Sequence, residues 1–61
     1  MPILQIDMHP GKTLTQKREL VQGITRAVVD ALACPPELVE IIIRETPKDA
    51  WSVAGTLKSD T

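Results

Sequence analysis

The chain has no phenylalanine and no tyrosine, and it has a single tryptophan, Trp51. Proteins that read single-stranded nucleic acid stack bases on several aromatics above a basic groove. One indole, and seven basic against eight acidic side chains, exclude that class. Cysteine is almost as scarce: Cys34 stands alone, so no internal disulfide forms. One cysteine and one histidine fall short of a structural zinc set. No apolar run approaches the ~20 residues that span a bilayer. The N-terminus has neither the basic start nor the long apolar core of a secretory signal. A lone thiol fits a reducing cytoplasm.

The chain is also short. At 61 residues it is one domain, 1–61, and a chain of this size buries only about 60% of the surface its unfolded form exposes. Small domains close that gap with disulfides, a metal or oligomerisation. With the first two excluded, oligomerisation is the expectation.

In Ile3 to Met8, Leu4, Ile6 and Met8 alternate with Ile3, Gln5 and Asp7, the period of a strand. His9-Pro10-Gly11-Lys12 breaks the pattern. Thr13 followed by Gln16 forms a capping box and opens a helix expected over 14–33. Leu20, Ile24, Ala27, Val28, Ala31 and Leu32 form its apolar stripe. Cys34-Pro35-Pro36 ends it, because proline disfavours the helical state of the residue before it. A second strand is expected over 39–45, with Val39, Ile41 and Ile43 on one face and Glu40, Ile42 and Arg44 on the other. Two strands joined through one helix make a β-α-β unit with parallel strands and a right-handed crossover. Trp51 to Leu57 is β-prone and contains Gly55, so it reads as a short hairpin or arm, followed by a polar tail, 58–61. The fold class is α+β: a parallel strand pair, one main helix and a C-terminal hairpin or arm. One helix covers one sheet face only, and parallel sheets are normally covered on both. The face carrying Ile3 and Ile42 is therefore expected to meet other copies.

The remaining signal is Pro2. Inside a chain its nitrogen has no hydrogen and no chemistry to offer. Freed by loss of Met1, it is a secondary amine, both base and nucleophile. Pro2 behind the initiator methionine, the β-α-β order, Gly11-Lys12-Thr13 with Gln16-Lys17 following, and Trp51-Ser52-Val53-Ala54-Gly55 together resemble the 4-oxalocrotonate tautomerase family, over nearly the whole chain. The resemblance implies β-α-β subunits pairing into dimers, and three dimers forming a homohexamer. It implies a cytoplasmic isomerase of aromatic hydrocarbon catabolism, needing no cofactor or metal, that converts 2-hydroxydienoate or enol carboxylic acids to their keto forms. Its catalytic residue is the amino-terminal proline. Pro2 matches it, Trp51 falls at the position of an aromatic wall supplied by a neighbouring subunit, and Lys12 falls where a carboxylate-binding arginine is usual. Lysine keeps the charge there but loses the planar fork. Glu40 reverses the charge of a second arginine found in the best-known members, and Arg44, on the same strand face, is the candidate to compensate.

A general base works best with a pKa near the working pH. A free α-amine titrates near ~7.7–8.0, and the ring amine starts higher. An apolar pocket and cations such as Lys12 or Arg44 bring it down, whereas Glu40 opposes them. Two other functions stay open at this point. One is a related hydration or dehalogenation, with Glu40 or Asp7 activating water. The other is a non-catalytic subunit of a hetero-oligomer whose partner supplies the arginines. Read without the family, Lys12 is an exposed loop lysine, Trp51 an interface aromatic, and Glu40 with Arg44 a same-face pair. His9 is then a solvated turn residue, Asp7 an interface hydrogen-bonding group, and Cys34 a small buried hydrophobe.

Overall fold

The computed structural model describes residues 1–61. The first strand, β1, spans Ile3–Met8, and the second, β2, spans Glu40–Glu45. They run parallel, in a register that sets Ile3 beside Glu40 and Met8 beside Glu45. Burial alternates along both strands: Leu4, Ile6, Met8, Ile41 and Ile43 are half-buried against the helix, and their neighbours are exposed. Val39, expected at the head of β2, instead closes a 3-10 turn over Pro36–Leu38, where its N–H donates to the Pro36 carbonyl.

The helix α1 covers Leu14–Leu32. Thr13 Oγ1 accepts the Gln16 N–H at 3.1 Å, and Gln16 Oε1 accepts the Thr13 N–H at 2.9 Å, which satisfies two end amides. Thr13→Ala is expected to destabilise the fold by about 1 kcal/mol, read as a lower midpoint in thermal or urea unfolding. The helix stops one residue before the expected end. Ala33 takes the left-handed conformation, with φ 52°, ahead of the Cys34-Pro35 step that proline keeps extended.

The helix contacts the sheet through Leu20, Val21, Ile24, Thr25, Val28 and Val29, all half-buried. Ala27, Ala31 and Leu32, expected on that stripe, are exposed. The reason is geometric. The half-buried stripe runs through positions 20/21, 24/25 and 28/29, which leaves Ala27 and Ala31 at its edge, and nineteen helical residues extend ~28 Å against ~20 Å for six-residue strands, so the helix ends overhang the sheet. Leu14 at one end and Leu32 at the other are 61% and 60% exposed.

Beyond a 3-10 turn at Lys48–Ala50, strands β3 (Ser52–Val53) and β4 (Thr56–Leu57) form an antiparallel hairpin. Ala54 and Gly55 at its tip have φ of 54° and 85°. Positive φ at both central positions is what a right-twisted two-residue hairpin demands, and glycine supplies it without strain. The segment is thus a hairpin and not an extended arm.

No residue in the chain is buried. Its surface is 4611 Å², against about 3900 Å² for a compact protein of this mass. Its radius of gyration is 14.7 Å, against about 10–11 Å for a compact domain of this length. The chain is a slab of 43 × 25 × 13 Å, one helix deep over one sheet. Its open sheet face shows Ile3 and Ile42, each nearly half exposed, among Gln5, Asp7, Glu40 and Arg44. No helix is long and apolar enough to cross a membrane.

Candidate active site

Pro2 sits just ahead of β1 and is half-buried. Its carbonyl accepts the Glu40 N–H at 3.0 Å, which extends the parallel ladder and pins the proline to the start of β2. The bond uses the carbonyl and not the nitrogen, which carries Met1. Met1 is 73% exposed, the most solvent-open of the large apolar residues. Glu40 lies beside Ile3 in register, so the residue that reverses the expected charge is one step from the proline.

Lys12 lies past the other end of β1, about 20 Å along the strand direction. It lines a hollow of about 290 Å³ with Met8, Gln16, Lys17 and Leu20. Lys17 is bound by Glu45 at 2.6 Å, but Lys12 has no ion-pair partner, so its charge is free to face the hollow.

Trp51 stands at the same end and is held on several sides. The His9 ring packs on it with centroids 4.4 Å apart, tilted by 51°. The Lys58 ammonium lies 5.5 Å from its ring centre, and the Lys58 backbone N–H donates to its carbonyl at 2.8 Å. His9 is in turn fixed by Nδ1 at 3.0 Å from the Thr46 carbonyl oxygen. The expectation of a solvated turn histidine is therefore corrected: His9 is half-buried and packed.

Arg44 forms a two-pronged bond with Asp7, its neighbour in register, through Nε at 2.9 Å and Nη2 at 3.1 Å. Hydrogen bonding to Asp7, and then its charge, raises the Arg44 pKa above its already high ordinary value. A raised cationic pKa adds stability at all lower pH, so the pair does not weaken through Arg44 anywhere near neutrality. The same-face pair is Arg44–Asp7 and not Arg44–Glu40. Glu40 is four positions back along β2, about 13 Å, and makes no ion pair.

Within one chain, then, Pro2 and Glu40 occupy one end of the sheet, and Lys12, Trp51 and His9 the other. Sequence reasoning missed His9, Lys48 and Lys58 as neighbours of Trp51. The parallel register held the clue. His9 follows β1 as Thr46 follows β2, so whatever follows Thr46 packs near His9.

Residues 2–61 match the family model described as tautomerase enzyme. The 2-hydroxymuconate tautomerase of Comamonas testosteroni is 38% identical over 55 residues, covering 90% of this chain and 87% of that one. The crystal structure of YwhB, a homologue of 4-oxalocrotonate tautomerase, superposes with a TM-score of 0.93 at 37% identity, covering 98% of both chains. A heterohexamer 4-oxalocrotonate tautomerase from Chloroflexus aurantiacus J-10-fl superposes with a TM-score of 0.89 at 33% identity, covering 98% of this chain and 97% of that one. With the parallel β-α-β core and the terminal hairpin described above, these matches make the chain a member of the tautomerase family, an isomerase of the 4-oxalocrotonate tautomerase type.

Proposed function

We propose that the chain is a cofactor-independent keto–enol tautomerase of 2-hydroxydienoate or enol carboxylic acids, with Pro2 as general base and then acid after Met1 is removed. The observation that carries this reading is the setting of Pro2. It is half-buried, tied by its carbonyl to β2, and preceded by an exposed Met1. The free ring amine takes the proton of the enol O–H. The electron pair passes along the conjugated chain, and the protonated amine returns the proton to a carbon of that chain. The acid ends as its keto isomer, with no atom gained or lost.

Lys12 holds a substrate carboxylate, and Trp51 walls the pocket. Both come from a neighbouring copy, because the strand length separates them from the Pro2 of their own chain. Arg44 spends two of its five N–H donors on Asp7, and the remaining three are available to a carboxylate approaching the open sheet face. Glu40, next to Pro2, makes the enzyme slower than a member with an arginine there and less selective for dicarboxylates. The assembly is a homohexamer built as a trimer of dimers. The hexameric relative from Chloroflexus supports an assembly of that size. The setting is the cytoplasm, in the breakdown of aromatic hydrocarbons, and the relative named 2-hydroxymuconate tautomerase supports a dienol acid as the substrate.

Intact-mass spectrometry of the purified protein is expected to give a chain lighter by one methionine. The same sample should ketonise 2-hydroxymuconate in buffer with no added metal or cofactor, followed as loss of the dienol absorbance. Full turnover by protein that retains Met1 would remove the proline amine from the mechanism.

A further inference from the structure

A second hollow, of about 420 Å³, is lined by His9, Lys48, Val53, Thr56, Lys58 and Thr61. It is distinct from the one beside Lys12 and shares no lining residue with it. The ion pairs of the chain are Lys17–Glu45 and Arg44–Asp7, so neither Lys48 nor Lys58 is neutralised. Asp49 and Asp60 neighbour these lysines in sequence, on the same short turns, yet pair with neither.

Two features make the hollow more than a chance cluster of surface charge. Lys58 is half-buried and pre-placed, with its backbone N–H on the Trp51 carbonyl and its ammonium against the indole. Ordering it around a ligand therefore costs little. His9 is also fixed. Its Nδ1 faces a carbonyl oxygen, which only accepts, so Nδ1 carries the hydrogen and the ring is held in one orientation. Thr56 adds a hydroxyl to the wall.

We infer that this hollow is a carboxylate subsite, in which Lys58 and Lys48 bind the carboxylate of an acidic substrate beside Trp51, whose ring Lys58 and His9 flank. This rests on the tautomerase reading for the identity of the substrate. It places a positive charge on the hairpin side of the pocket, where the chain makes up for the cation that Glu40 does not supply.

Trp51 is the only Trp, and the chain has no Tyr or Phe, so the emission comes from the one indole that Lys58 and His9 flank. The probe is adipate, an unreactive six-carbon dicarboxylate, with adipamide as its uncharged control. Adipate is expected to shift the Trp51 emission saturably and adipamide to leave it unchanged. Lys58→Met keeps an apolar stem on the indole and removes the charge. It is expected to weaken adipate roughly tenfold, the equivalent of one charge-assisted hydrogen bond. Lys48→Met, at an exposed position, is expected to weaken adipate in the same direction. Arg26→Met, on the outer helix face, should bind as wild type does. Wild-type affinity in both lysine variants, or equal weakening by Arg26→Met, would overturn the subsite. Ketonisation separates the two readings. An undiminished rate in Pro2→Ala defeats the proline mechanism but leaves the adipate result standing. A raised KM with little change in kcat in Lys58→Met supports the subsite within a working tautomerase.

Discussion

Replacing Pro2 with alanine is expected to lower kcat for ketonisation of 2-hydroxymuconate at least about a hundredfold, the usual contribution of a positioned general base. The KM should move little, because the groups assigned to the substrate carboxylates are Lys12, Arg44 and the lysines beside Trp51, and Pro2 is not among them. The fold should also be spared. What Pro2 gives the sheet is its carbonyl, which accepts the Glu40 N–H at 3.0 Å, and alanine keeps that carbonyl. Alanine even leaves a terminal amine after Met1 is lost, but a primary one on a freely turning residue, without the ring that fixes its direction. The loss therefore measures the ring amine and not the mere presence of a nitrogen. A variant with native circular dichroism, native size and an unchanged rate would remove Pro2 from the chemistry.

Much of this geometry could be read from the chain, because it depends on local rules. The alternation in 3–8 and 40–45, the Thr13–Gln16 box and the prolines at 35 and 36 each act over a few residues, and the structure follows them closely. The misreadings arise where a distant element decides. The apolar pattern alone put Ala27, Ala31 and Leu32 toward the sheet, but a two-stranded sheet is too small to receive them. Nothing local announces that His9 will meet Trp51, forty-odd positions later, since the contact exists only once the strands have paired in register. The partner of Arg44 was equally hidden. Glu40 and Asp7 are both acidic and both on the open face, and the register alone gives Arg44 to Asp7. The site is harder still, because its parts lie at opposite ends of one strand, and the proposed function needs a second copy to bring them together.

That dependence on copies leads to the second large effect. Ile42→Asp is expected to abolish the assembled, cooperatively folded protein, seen as loss of the high-mass species in sedimentation and loss of the unfolding transition. In an isolated chain the change would be harmless, because Ile42 is 46% exposed and faces water beside Gln5 and Ile3. In an assembly that covers this face, each copy forfeits the ~1.5–3 kcal/mol of a buried isoleucine. Each also places an unpaired carboxylate in an apolar contact, at a further cost of several kcal/mol. Symmetry repeats the penalty in every subunit. The dissociated chain then has little to fall back on: no residue of it is buried, and its surface exceeds that of a compact protein of its size by several hundred Å². For the same reason the wild-type melting temperature should rise with protein concentration, as mass action requires when folding and assembly are one step. A variant that keeps wild-type size and melting temperature would show that the open face stays in water, and the neighbouring copy would then have to reach Pro2 by the strand edges and the hairpin alone.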